Sequence, residues 1–190
     1  MTRIHKGFYL GSWITGGGII ILMLVVSWMA EINGSTDLSN VLYLYALVPY
    51  VCLGLIWLFL LYNAWAAIQD DQSSVTPVKA VGFMLVPFYR YYWIFHIFWK
   101  YPWEFNAYAS RHYPAVAAIP EGFFMAFSIL WIVTGVLQNA VKGTGLQILL
   151  LGAYIVVGAK VFNILCSGLI SLADARQVSL QKGADPLVPH

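Results

Sequence analysis

Lipid offers a backbone no hydrogen-bond partner, so a chain of this kind crosses a bilayer as a helix, and a hydrocarbon core about 30 Å thick takes about 20 apolar residues. Four runs of this chain have about that length, residues 8–30, 41–67, 123–140 and 146–173, and Lys160 is the one charge inside them. The fold class that follows is an all-α integral membrane protein. Only 9% of the chain is charged, against about 25% in an ordinary soluble domain, which excludes a water-soluble domain. The formal net charge of +2 is scattered between the apolar runs. Neither a basic nucleic-acid face nor an acidic tail is present, and nucleic acid is not an expected partner.

Arg3, His5 and Lys6 precede the first run as the basic region of a signal peptide would. The run is longer than a signal core of about 7–15 residues, and Glu31 follows in place of a small-residue cleavage site, so a retained first span is expected. Gly7, Gly11, Thr15 and Gly18 fall on one helical stripe, where small residues let a second helix come close. Residues 31–37 read as a polar turn, with Ser39 and Asn40 capping the second span. Pro49 inside that span predicts a kink, because proline has no N–H for the preceding turn. Residues 69–77 read as a loop, 141–145 as a tight turn between the last two spans, and the stretch from Asp174 as a polar tail.

Residues 78–101 are apolar enough to cross, yet they carry Pro87 and Arg90 near the middle and Lys79 and Lys100 at the ends. Charge asymmetry decides between four spans and five, since cytoplasmic loops are enriched in Lys and Arg. Five spans would set Arg3, Lys6, Lys79 and Lys142 against Lys100, Arg111, Arg176 and Lys182, with no bias at all. If the segment enters and leaves on one side, Arg3, Lys6, Lys79, Arg90, Lys100, Arg111, Arg176 and Lys182 share the cytoplasm and only Lys142 faces out. The expected layout is therefore a four-helix transmembrane bundle, a single membrane domain over 1–190 with both termini cytoplasmic. An aromatic re-entrant or interfacial segment, 78–118, lies between spans two and three. The setting is a bacterial inner membrane.

From Phe83 to Phe105, twelve of twenty-three residues are aromatic. Trp and Tyr favour headgroup depth, where the ring is buried and the polar tip stays wet, and an Arg beside them can reach lipid phosphate. Within this segment the run Lys79-Ala-Val-Gly-Phe-Met-Leu-Val-Pro-Phe-Tyr-Arg-Tyr-Tyr-Trp-Ile-Phe95, followed by Phe105-Asn-Ala-Tyr108, resembles a motif of uncharacterised bacterial four-span membrane proteins. That motif reads approximately K-A-V-G-F-x-x-I-P-F-x-N-x-Y-W-x-F and then D/E-x-N-x-Y, and those proteins are often fused to a GYF-like domain. Arg90 stands where the family usually has Asn, and this sequence contains no GYF-like part. The resemblance implies the four-span layout and no activity.

Lys160 lies near the middle of the fourth run, where a cation costs about 2.5–3.5 kcal/mol on insertion scales. No Asp or Glu lies within any span, which leaves as partners Asn163, Asn63, tyrosine hydroxyls, carbonyls freed by Pro49, or a group on another molecule. His96 is the one histidine in an apolar stretch. It could give one axial ligand to haem or chlorophyll, but a four-helix di-haem protein needs paired histidines, and no cofactor is expected. Cys52 and Cys166 stand apart without a CxxC, which excludes a disulfide framework and a zinc ribbon, and no metal is expected. No Gly-rich phosphate loop, HExxH or nucleophile elbow occurs.

The expected function is that of a non-catalytic accessory or scaffold subunit of a larger bacterial membrane complex. Other integral membrane subunits, anionic phospholipid or pigment would complete its surfaces. Arg90, Trp93, Trp99, Lys100, Lys160 and Asn163 are the expected partner- and lipid-binding residues, with His96 the cofactor candidate. The alternative is a small transporter or lipid-handling protein with an anion site at Lys160 and Arg90. A coupled carrier, however, is expected to show an intramembrane carboxylate and repeated halves, and the sequence has neither. In a background lacking Cys52 and Cys166, a cysteine at position 110 is expected to react with a membrane-impermeant thiol reagent from the cytoplasmic side alone. Labelling from the periplasm would make 78–101 a fifth span.

Overall fold

Six α-helices carry the chain in the computed structural model, which describes residues 5–140 and 144–184. They are α1 (Lys6–Ile32), α2 (Thr36–Ala67), α3 (Pro77–Gly82), α4 (Tyr89–His112), α5 (Glu121–Ala140) and α6 (Thr144–Ala184), with a 3₁₀ turn at Phe83–Leu85 after α3. No strand occurs among the described residues. Among the described residues three helices are long and apolar enough to cross a membrane: α1, α2 and the Leu149–Gln181 part of α6. In α5 the apolar stretch Glu121–Val136 is shorter. Arg3, most of the turn expected at 141–145 and the end of the polar tail, 185–190, lie outside the described residues.

The turn between α1 and α2 is shorter than the sequence suggests. Gly34 takes a φ of +77°, which costs glycine nothing, and the Ser35 N–H closes onto the Ala30 carbonyl at 2.9 Å. The second helix therefore begins at Thr36, with Asp37 in its first turn, where a carboxylate complements the helix dipole. Ser39 is consequently not a cap. It is 4% exposed inside α2, its hydroxyl 3.0 Å from that of Ser27, while Ser27 Oγ donates to the Ser39 carbonyl at 3.1 Å. Two small polar side chains thus tie α1 to α2 across their contact. Pro49 sits inside α2, which continues as helix on both sides of it.

The expected small-residue stripe does not serve close packing. A Cβ on Gly7, Gly11 or Gly18 would meet nothing within 4 Å, whereas one on Gly16 would strike Leu53 at 2.8 Å and one on Gly17 would strike Ile155 at 2.8 Å. The face α1 buries is set by where α2 and α6 lie, and it runs through Tyr9, Trp13 and Gly17. Against this face α6 runs antiparallel, with Lys6 Nζ on Ser167 Oγ at 2.9 Å and Trp13 Nε1 donating to the Ile155 carbonyl at 3.0 Å. The Trp13 ring stacks on Phe162 with centroids 4.7 Å apart. It crosses α6 at Gly158, where a Cβ would lie 2.5 Å from the ring.

The polar stretch from Asp174, expected as a tail, instead prolongs α6 to Ala184. Ala, Arg, Gln, Leu and Lys dominate there and favour helix. Arg176 anchors the extension, donating to the Ala67 carbonyl at the end of α2 and to Tyr108 Oη at 2.8 Å.

Gly158→Ala is expected to destabilise the bundle by about 1–3 kcal/mol through overpacking against Trp13, outweighing the better helix propensity of alanine. Gly18→Ala, with open space around its Cβ, is expected to be neutral or to stabilise by about 0.5–1 kcal/mol. Thermal melts of both variants in detergent check the pair, and equal effects would reinstate the Gly18 stripe as the packing face.

Candidate functional site

Between α2 and α5 the chain forms a hairpin whose two legs are α3 with its 3₁₀ turn and α4. Thr76 caps the descending leg, its Oγ1 accepting from the Lys79 N–H at 3.4 Å, and Pro77 at the first helical position fits there because it has no N–H to lose. At the tip Phe88 has φ 61° and ψ −48°, and the Tyr89 N–H bonds the Pro87 carbonyl at 2.7 Å. That is a γ-turn of the rarer, strained hand. It reverses the chain into α4, whose Trp93 Nε1 donates back to the Ala80 carbonyl at 3.1 Å. At the open end Arg111 pairs with Asp70 at 2.6 Å, and His112 lies 3.4 Å from the same oxygen.

The returning leg is a wedge. Phe98 stacks flat on Trp57 of α2 (5.1 Å, 4°) and meets Phe127 of α5 edge-on at 5.2 Å. Lower down, Tyr101 bridges Trp65 and Phe124 at 5.5 and 6.0 Å. Where α4 begins, the wedge ends, and a cavity of about 200 Å³ opens among Trp13, Tyr50, Leu53, Trp57, Trp131 and Tyr154, with Arg90 as its one charged wall. Gly17 and Ile20 of α1 and Leu53 of α2 also line it, which puts it about 16–26 Å from either end of those helices at 1.5 Å per residue. Arg90 is thus at mid-height of the bundle. The reason is the descent of residues 77–85 before the turn.

The guanidinium of Arg90 sits 5.1 Å from the Tyr91 ring centre and 5.9 Å from that of Trp131, and one amino group donates to Tyr91 Oη at 3.3 Å. Among the described residues no carboxylate pairs with it. Cation–π contacts of this kind are worth about 0.5–2 kcal/mol each.

The other expected site residues scatter. Trp93 is 8% exposed and its indole N–H is bonded, so it packs the hairpin and is closed to lipid or partner. Trp99 is exposed, and with Tyr92 and Trp103 it forms one outward stripe along α4. Lys100 lies 3.8 Å from Glu104. His96 stacks between Tyr92 (5.9 Å) and Trp93 (5.3 Å) and shares a groove of about 310 Å³ with Trp99, Lys100, Trp103 and Glu121. The next histidine, His112, is at the far end of α4 on Asp70. Lys160 does not line the cavity of Arg90. It is exposed, on the side of α6 away from Val161 and Phe162, and makes no hydrogen bond or ion pair among the described residues. Asn163 is half-buried on the same helix, and Asn63 spends its amide on the Phe59 carbonyl of its own helix. One anion site shared by Lys160 and Arg90 is therefore not assembled.

What the sequence reading missed is the polar foot of the hairpin. Glu104 is 8% exposed, accepts from Ser74 Oγ and faces Lys100, while Arg176 joins Ala67 and Tyr108. The charge count had already grouped Arg111 and Arg176 at one end, but nothing in the spacing pairs Arg111 with Asp70. The Arg111 guanidinium holds the Asp70 carboxyl down at about 2 against partial loss of solvent, with Ser73, the Gln72 N–H and His112 helping.

A carboxylate depressed in the fold stabilises it fully above its unfolded pKa of about 3.9 and loses that contribution as pH falls. The stability that Asp70 gives the hairpin is accordingly expected to vanish between about pH 4 and pH 2. The difference in melting temperature between the wild type and Asp70→Asn should shrink over that window. A constant difference from pH 6 to pH 2 would show that the ion pair does not hold the foot.

No family model matches the chain, and no curated protein or solved structure matches it.

Proposed function

We propose that the chain is a non-catalytic accessory subunit of a bacterial inner-membrane complex. In this reading α1, α2, α5 and α6 span the bilayer, both termini are cytoplasmic, and α3–α4 is a re-entrant hairpin entering from the cytoplasm. The pairing of Asp70 with Arg111 supports the layout, since it brings the two feet of the hairpin to one end of the bundle.

The observation that carries the accessory role is the outward stripe of α4. Tyr92, Trp99 and Trp103 are 60%, 55% and 62% exposed and repeat at helical spacing along α4, with Phe88, 89% exposed, at the turn just before it. Aromatic rings of this size supply most of the energy of protein interfaces when covered. Lys160 on the outer side of α6 adds a cation that a neighbouring subunit or lipid anion would pair. The likeness of residues 79–108 to uncharacterised four-span proteins favours the same layout. A lipid-handling role is the second reading, favoured by the cavity at Arg90.

The test is affinity purification from native membranes in mild detergent, comparing the wild type with Trp99→Ser/Trp103→Ser and with Lys160→Leu. The variants are expected to keep or raise the melting temperature while recovering at least fivefold less of the co-purifying membrane subunits. If partner recovery is unchanged and the melting temperature falls, these residues serve the fold of the isolated bundle and the accessory reading fails.

A further inference from the structure

We propose that the cavity at the tip of the hairpin binds an amphiphile with an anionic head, the head on Arg90 and the chain leaving between α2 and α5. The inference deepens the lipid-handling reading and rests on the chain being membrane-embedded.

The walls set the chemistry. Leu53, Trp57, Trp131 and Ile155 make the cavity apolar, and Arg90 is the one charge facing into it. A guanidinium carries five donors in a rigid fork matched to phosphate or carboxylate oxygens. Here a single hydrogen bond, to Tyr91 Oη, uses one of them, and among the described residues no carboxylate pairs with the charge. In surroundings of low dielectric a bound anion is the natural complement of such a cation.

The mouth sets the direction. Arg90 and Leu85 of the hairpin and Tyr50 and Gly54 of α2 line the cavity and are also exposed, Leu85 at 69% and Tyr50 at 61%, so the opening lies between the hairpin tip and α2. Below the opening α4 fills the space between α2 and α5 through Phe98 and Tyr101. At and above it the facing walls are Tyr50 and Leu53 of α2 and Trp131 of α5, next to the exposed apolar side chains Leu47 and Val51. Size sets the limit. About 200 Å³ is below the roughly 300–1,000 Å³ of cavities that enclose a whole small molecule. The cavity therefore takes a head and the first methylenes, and the rest of the chain lies along the α2 surface. A lipid phosphate and a free fatty-acid carboxylate share this chemistry.

Gly54 provides a way to fill the site without touching its charge. It lines the cavity, and a Cβ there meets nothing within 4 Å. The experiment is native mass spectrometry of the full chain in detergent, titrated separately with dioleoyl phosphatidylglycerol, oleate and dioleoyl phosphatidylcholine. The wild type is expected to retain phosphatidylglycerol, oleate or both at least tenfold over phosphatidylcholine; which of the two it retains tells phosphate from carboxylate. Arg90→Gln and Gly54→Leu should each abolish that preference, and Gly54→Leu should melt no lower than the wild type. Lys79→Gln, which removes an exposed cation outside the cavity, should preserve it. Equal retention of anionic and zwitterionic lipid by the wild type overturns the proposal. So does a preference that survives in Gly54→Leu or disappears in Lys79→Gln, because the anion is then held at the surface. If Arg90→Gln does not fold, Gly54→Leu and Lys79→Gln decide alone. Failure here leaves the topology untouched, since cysteine labelling at position 110 reads that separately.

Discussion

The flat stack of Phe98 on Trp57, with Phe127 edge-on against Phe98, is the contact on which the arrangement of this bundle depends. It joins α2, α4 and α5 at one point, and Trp57 also meets Trp13 and Phe162 at 6.3 and 4.5 Å, so α1 and α6 close on the same cluster. Each such aromatic pair adds about 0.5–1.5 kcal/mol to what its area burial supplies. Lipid tails are as apolar as these rings, so in a bilayer burial alone would not drive the helices together and the geometry of the stack has to do more of the work. Because α4 enters this cluster between α2 and α5 through Phe98, its direction and depth fix where the remaining side chains of the hairpin lie. The cavity at Arg90 is a direct result: it begins where the wedge stops.

The features legible in the sequence were those written in composition and charge. Apolar runs located α1, α2, α5 and the apolar part of α6, and the cation count grouped Arg111 and Arg176 at one end before any contact was visible. The losses have separate physical causes. Gly7, Gly11 and Gly18 make a small-residue stripe, but a helix buries the face its neighbours choose, and α6 chose Trp13 and Gly17. Ser39 has the composition of a cap, yet Gly34 and Asp37 let α2 start earlier and left Ser39 to bond Ser27 across the helix pair. Arg90 among aromatics fits an interfacial segment and a re-entrant one equally well. Neither reading shows the reversal at Phe88, since a phenylalanine with φ 61° is a conformation no propensity announces.

The same turn explains why two cations of one membrane chain take different surroundings. Lys160 has a four-carbon stem on the outer side of α6, so its ammonium can travel along the helix toward whatever water or anion is nearest. Arg90 has no such freedom. Phe88 and Tyr89 set the first turn of α4 against the hairpin, and the guanidinium lies beside the Tyr91 and Trp131 rings at mid-height. Moving it to an interface would require unwinding the γ-turn or withdrawing α4 from the Trp57–Phe127 cluster, either of which breaks the stack that closes the bundle. The charge is fixed by the core rather than by solvent. Its hydration must then be replaced locally, by Tyr91, by the faces of two rings, and by whatever anion reaches the mouth beside Tyr50.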